Sequence, residues 1–463
     1  MRILYASSEV APFAKTGGLA DVAKSLPRAL GHIGCELSVV MPYYRCVKEM
    51  GLNVQPFRLG EFEFLRRKDT EGDYIFVVND EYYMRDNLYS EPSGDYSDND
   101  LRFSHFSRAI THLATRGELK PDVIHLNDWQ TGLVPVYLRL QSAAIKTLFT
   151  IHNIGYQGLF SKDSLEKVGV PRSFFKINGL EYYGKISFLK AGIVYSSAVS
   201  TVSEGYKKEI LTKKFGCGME GILKTRKKDL YGIVNGVDYN DWDPGVDRFI
   251  RSKYGPDSIE NKLDCKKDLI KSVGLPALTE KRPLIGVISR LAEQKGIDLI
   301  VEAAKDIIEL GASVVILGTG DEKYNILCKD MALRYPGYVS SSITFDNALA
   351  HKIEAGCDMF MMPSRYEPCG LNQLYSMRYG TVPIVRATGG LDDTIIDLEK
   401  DPARGNGIKF SEATCKGLVT ATARAISLYK DKNRWQKIVK SIMRQDFSWE
   451  TSAGHYKELY GKL

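Results

Sequence analysis

DMFMMPSRYEPCGLNQLYSMRYGTVPIVRATGGL, residues 358–391, holds two strand patterns and one helix pattern in a single stretch. Asp358 to Met362 reads as a buried strand, Pro363 as a tight turn and Glu367 as an exposed acid. Gly370 opens a helix that stops at Gly380. Val382 to Val385 is a short apolar strand running into the loop Ala387-Thr388-Gly389-Gly390. Open α/β sheets bind ligands at the carboxyl ends of their strands. A helix N-terminus offers unpaired N–H groups to an anion. The stretch therefore predicts an acid and a row of backbone donors at such an edge.

Outward from this stretch, the same alternation of strands and helices continues in both directions. Leu284 to Ile288 is a strand followed by Ser289-Arg290-Leu291-Ala292-Glu293-Gln294-Lys295-Gly296 and a helix to about Leu310. Ser313 to Leu317 is a strand ending in Gly318-Thr319-Gly320-Asp321, and Ile343 to Phe345 a short one. Residues 416–443 read as helical, and Ser448 to Tyr460 as a last amphipathic helix. Residues 239–262, rich in Trp, Asp, Pro and charge, mark a boundary.

On the other side of that boundary the chain opens as β-α-β, which implies a parallel sheet. Ile3 to Ala6 is a strand, Leu19 to Gly31 a helix of 3.6-residue period, and Leu37 to Met41 a strand. The connecting loop carries Lys15-Thr16-Gly17-Gly18, not G-x-G-x-x-G. That argues against a dinucleotide-dependent dehydrogenase. Two glycines allow close backbone approach to a ligand, and the lysine adds a point charge for phosphate. Val123 to Leu126 leads into Asn127-Asp128-Trp129, and Thr147 to Ile151 into His152-Asn153. Asp128, His152 and Lys15 are thus expected on one sheet edge. Residues 79–103 read as a long ordered loop, with Arg102 opening a helix to Thr115.

Composition sets the outer bounds. The 463 residues, 44% hydrophobic and 26% charged, are those of a soluble globular chain of two or three domains. A net charge of +6, from 63 basic and 57 acidic residues with no basic stripe, argues against a nucleic-acid partner. No apolar run reaches about 18 residues, so no membrane span is expected. The chain opens directly on a strand, without a presequence pattern. The eight cysteines form no C-x-x-C pair and read mostly as small core residues. The seven histidines show no metal-ligand spacing.

The motifs KTGGL (15–19), NDW (127–129), HN-x-x-YQG (152–158), NGVD (235–238), SRL-x-x-QKG (289–296), PSR-x-EPCGL (363–371) and TGGL (388–391) are together similar to those of bacterial glycogen synthases and plant starch synthases. The similarity runs from Met1 to the final FSWE helix. It implies an α/β GT-B fold, two doubly wound Rossmann-like domains facing a cleft. These would be residues 1–242 completed by 447–463 on the acceptor side, and 243–446 binding the nucleotide sugar. It also implies transfer of glucose from ADP-glucose to an α-1,4-glucan with retention, in the cytoplasm of a bacterium or the plastid stroma of a plant or alga. A UDP-glucose-dependent relative and a catalytically silent glucan-binding homologue are the alternatives.

The resemblance assigns Arg290 and Lys295 to the departing diphosphate in place of a metal, with Lys15, Gly17 and Gly18 and backbone donors at Gly389, Gly390 and Leu391. It places Glu367 and Asn235 on the donor glucose, and the main-chain carbonyl and ring of His152 beside that sugar, with Asn153 nearby. Gly318, Cys369, Gly370 and Leu371 join the donor site, Cys369 as a small filler. Asp128 either binds the acceptor or orients His152. Phe345 stands where relatives carry an adenine-stacking tyrosine, and Asn372 where a threonine is common. Tyr96 is a candidate glucan contact. No metal or other cofactor is implied.

Overall fold

The computed structural model describes residues 1–70, 72–91 and 94–463. The chain divides into two compact units, Met1–Gly236 with Trp449–Leu463, and Val237–Ser448.

In the first unit β1 (Arg2–Ala6), β2 (Glu36–Pro42), β3 (Gln55–Leu59), β4 (Phe62–Asp69), β5 (Gly72–Val78), β6 (Val123–Asn127), β7 (Lys146–Ile151), β8 (Ala198–Thr201) and β9 (Leu230–Gly232) form one sheet among the described residues. Its order is β9-β8-β7-β6-β1-β2-β5-β4-β3. Pairing is parallel from β9 through β5 and antiparallel for β3 and β4. The chain leaves β1 toward β2 and later returns to β1's other side as β6. That reversal makes a crevice beyond the carboxyl ends of β1 and β6. Helix α1 (Gly18–His32) buries its Ala20, Val22, Ala23, Leu26 and Leu30 face. The C-terminal helix Trp449–Lys462 packs on α1 and belongs to this unit. Its Tyr460 hydroxyl meets His125 Nδ1 at 2.7 Å, and Lys457 Nζ donates to the Ile33 carbonyl at 2.6 Å.

Residues 79–103 are more structured than a long loop. Asn79 accepts the N–H of Tyr82 and caps a short helix, Asp80–Tyr83. Ser90–Glu91 pairs with Gly94–Asp95, and α2 (Asn99–Arg116) starts three residues before the expected Arg102. Pro92 and Ser93 of this stretch lie outside the described residues. Arg102 is fully buried and donates to the carbonyls of Tyr82 (2.7 Å) and Leu88 (3.0 Å) and to Asn99 Oδ1 (2.6 Å).

The second unit's sheet, among the described residues, contains β10 (Leu284–Ile288), β11 (Ser313–Leu317), β12 (Val339–Ser342), β13 (Met359–Met362), β14 (Val382–Arg386) and β15 (Ile408–Phe410) in the order β12-β11-β10-β13-β14-β15, all parallel. β11, β13 and β14 are buried throughout, as parallel strands covered on both faces must be. Here the reversal lies between β10 and β13. The expected strand at Ile343–Phe345 is instead β12, Val-Ser-Ser-Ser, an edge strand of half-buried serines. The 416–443 helix is two helices, Cys415–Lys430 and Lys432–Met443, with Asp431 between them accepting the N–H of Arg434.

Five cysteines are buried, Cys415 is intermediate, and Cys46 and Cys217 are exposed; all are free thiols. No helix among the described residues is long and apolar enough to cross a membrane.

Candidate active site

In the first unit the loops after β1, β6 and β7 lie at the carboxyl end of the sheet. Lys15 is exposed and its Nζ contacts Asp21 Oδ1 at 2.7 Å. Gly18 opens α1, where the first four N–H groups have no acceptor within the helix. The Gly17 N–H donates to the Glu9 carboxylate at 3.3 Å.

Asp128 has φ +55 and ψ −176, a conformation nearly confined to glycine. The tight turn off β6 aims its carboxylate at the next loop. Oδ1 accepts the His152 main-chain N–H at 2.8 Å, and the carboxylate also takes the Asn153 N–H. Burial raises its pKa to about 7, against the pull of those two N–H groups. His152 Nε2 lies 2.8 Å from Asn127 Oδ1, while the Asn127 amide donates to the Ala6 carbonyl at 2.9 Å. Oδ1 of Asn127 therefore accepts, Nε2 carries the proton, and Nδ1 keeps its lone pair. Desolvation lowers the His152 pKa to about 3, so the ring is neutral. Asp128 thus holds the main chain at His152. Asn235, past β9, has a buried Oδ1 with no hydrogen-bond partner among the described residues. The Tyr96 ring lies under the guanidinium groups of Arg85 and Arg102, at 4.6 and 4.9 Å.

In the second unit the loops after β10 and β13 are laced together. The Arg365 N–H donates to the Gln294 carbonyl (2.7 Å), and Gln294 Nε2 to the Tyr366 carbonyl (3.1 Å). Arg386 Nε holds the Ser364 carbonyl at 2.6 Å. Lys295 Nζ stands 2.5 Å from Glu367 Oε2, and Ser364 Oγ donates to the same oxygen at 3.0 Å. Arg290, in the Lys295 loop, is exposed and donates to Gln294 Oε1 at 3.1 Å. Two cations and one acid thus rise from adjoining strands at the sheet reversal.

Three expectations are corrected here. Glu367 is not exposed: at 6% it is buried, because Lys295 and Ser364 enclose it. Gly390 and Leu391 do not present N–H donors, since these go to the carbonyls of Glu367 and Thr388, each at 3.0 Å. Gly390 is glycine for space, as a Cβ would stand 2.1 Å from the Cys369 carbonyl oxygen. Gly370 does not open the helix, which runs Asn372–Arg378. Asn372 gives an amide proton to the Ile288 carbonyl at 2.7 Å.

Cys369 is buried, Gly370 has φ +72 and Leu371 caps the helix. Gly318 packs flat on Ser289, where a Cβ would come within 1.9 Å of the carbonyl oxygen. Phe345 is 76% exposed in the loop after β12. Sequence reasoning missed Glu9, Tyr89, Asn127 and Ser364. Asn127 and Ser364 carried the signal of the motifs NDW and PSR-x-EPCGL without a role attached, whereas Glu9 and Tyr89 stood in no motif. Among the described residues no three His, Cys, Asp or Glu side chains group as metal ligands.

Two doubly wound units with charged loops at both sheet reversals make the architecture of the GT-B class of glycosyltransferases. The solved catalytic domain of starch synthase IV from Arabidopsis thaliana, bound to ADP and acarbose, matches with TM-score 0.91 and 32% identity over 100% of this chain and 99% of that one. Sucrose-phosphate synthase from Thermosynechococcus elongatus shares the fold, with TM-score 0.64 and 18% identity over 99% of this chain and 98% of that one. Residues 2–225 match the starch synthase catalytic domain family, and residues 275–441 the glycosyl transferases group 1 family. The glycogen synthase of Koribacter versatilis is 45% identical, covering 100% of this chain and 98% of the relative. Glycogen synthase 2 of Geobacter sulfurreducens is 43% identical, covering 99% and 98%. The chain belongs to the glycogen synthase and starch synthase family, and it is a hexosyltransferase of glycogen or starch synthesis.

Proposed function

We propose that the chain transfers glucose from ADP-glucose to the 4-hydroxyl at the non-reducing end of an α-1,4-glucan, with retention and without a metal. The observation that carries this reading is the Lys295–Glu367 pair, with Arg290 in the same loop, at the reversal of the second sheet. Breaking the bond between glucose C1 and the β-phosphate oxygen leaves charge on the diphosphate. Fixed cations there need no reorganisation as that charge grows. Glu367 takes sugar hydroxyls. Phe345 offers its exposed face to adenine, as a stacking surface.

In the first unit Lys15 is a phosphate cation, and the unpaired Asn235 Oδ1 accepts from a sugar hydroxyl. Asp128 fixes the His152 main chain so that its carbonyl lies by the reacting carbon. The acceptor oxygen bonds to C1 on the face the diphosphate leaves, and its proton passes to the departing phosphate oxygen. Cys369, Gly370 and Leu371 shape the donor pocket beside Glu367. Tyr96 belongs to the acceptor side.

The test is transfer to a maltooligosaccharide from either donor. ADP-glucose is expected to react faster than UDP-glucose, with α-configured product by proton NMR and full rate after exhaustive chelation. Equal donor rates, a β linkage or an absolute magnesium requirement each overturns the corresponding part.

A further inference from the structure

Glu9 lies in the loop after β1 and is only 4% exposed. Its Oε2 accepts the N–H of Thr16 at 2.5 Å and of Gly17 at 3.3 Å. Its Oε1 accepts the Thr16 hydroxyl at 2.7 Å and the Tyr89 hydroxyl at 2.8 Å. Ser7 steadies the residue from behind, its Oγ donating to the Glu9 carbonyl (2.7 Å) and accepting the Glu9 N–H (3.3 Å). The Ser8 and Tyr89 hydroxyls meet at 2.8 Å.

The two sides of this carboxylate lead to different places. Thr16 and Gly17 sit between Lys15 and Gly18, the turn proposed for phosphate. Tyr89 leads into the segment that carries Tyr96. The Tyr89 carbonyl accepts the Tyr96 N–H at 3.1 Å and Asn99 Nδ2 at 2.9 Å. Buried Arg102 fastens the same segment through Leu88 and Asn99. One carboxylate therefore fixes a donor-side turn and an acceptor-side segment at once.

We propose that Glu9 is a positioning residue that couples the Lys15–Gly18 turn to the Tyr89–Tyr96 segment, so that each substrate meets a surface set partly by the other's loop. The proposal rests on the donor and acceptor assignments made above. Aspartate would fall one methylene short of this set of donors. Glutamine would remove the charge that strengthens all of these bonds and force the Thr16 and Tyr89 hydroxyls to accept from its NH2 group.

The experiment compares Glu9→Gln, Thr16→Val and Tyr89→Phe in the full chain, measuring kcat and both KM values together with thermal midpoints. Tyr89→Phe cuts the acceptor arm, together with the Ser8 hydroxyl contact, and is expected to raise the glucan KM about fivefold, the size of one hydrogen bond, with the ADP-glucose KM unchanged. Thr16→Val should do the reverse, and Glu9→Gln should raise both. A folded Glu9→Gln with unchanged kinetics overturns the proposal, as does a single-arm variant that shifts both KM values equally. If Glu9→Gln does not fold, the two single-arm variants decide. Wild type that fails to move glucose from ADP-glucose to glucan would instead refute the functional reading.

Discussion

Lys295 Nζ and Glu367 Oε2, 2.5 Å apart, join the loop after β10 to the loop after β13. The cation proposed for the diphosphate and the acid proposed for the sugar are therefore set by each other. Lys295→Ala and Glu367→Ala should each lower turnover by at least about a hundredfold, the scale of a lost transition-state charge contact. The double variant should lose less than the product of the two, because partners in contact are not additive. Near-normal turnover in either single variant contradicts the assignment.

Asp128→Asn should trade activity for stability. The folded pKa of about 7 lies above the ordinary carboxylate value. Between the two the folded chain holds a proton the unfolded chain has released, so this group's contribution falls as pH rises through that window. Asparagine keeps an acceptor for the His152 N–H and has no charge to bury. Its thermal midpoint should exceed wild type at pH 8, with the gap closing toward pH 5, while the transfer rate drops. A lower midpoint at pH 8 would refute the electrostatic account.

Phe345→Ala should raise the ADP-glucose KM by roughly tenfold, as expected for losing an aromatic stacking face, and leave the glucan KM alone. Phe345→Tyr should differ little from wild type. An unchanged donor KM in the alanine variant removes Phe345 from the nucleotide site.

Burial lowers His105 to about 4, with Arg108 adding to the effect. Its contribution to stability is complete above the usual histidine pKa and is lost as pH falls toward 4. His105→Gln should therefore show a shallower fall in thermal midpoint between pH 6.5 and 4.5 than wild type. Parallel curves would place His105 in water.

Much of both sheets could be read before the structure. Leu284–Ile288 and Ser313–Leu317 were legible to the residue, because a parallel strand covered on both faces must be apolar throughout. β12 was misplaced because an edge strand of serines carries no such pattern. The residue types at the carboxyl edges of the sheets, Arg290, Lys295, Glu367, Asp128 and His152, were legible from their motifs. Their bonds were not. Glu367 looked exposed among polar neighbours, yet its partner Lys295 is distant in sequence. The Gly390 N–H looked available until the fold brought the Glu367 carbonyl to it at 3.0 Å. Spacing shows which groups reach an edge, and only tertiary packing shows which of them are already spent on one another.

The C-terminal helix, packed on α1 and bonded to His125, belongs to a unit whose other residues end at Gly236. The second unit, Val237–Ser448, is one uninterrupted stretch of chain. During vectorial synthesis the half that begins first is thus the half that finishes last. Until residues 449–462 emerge, the nascent first unit must carry part of the α1 surface and the His125 ring without their final cover. A stop codon that removes only those residues would leave every side chain proposed for catalysis encoded and the older lobe unsealed.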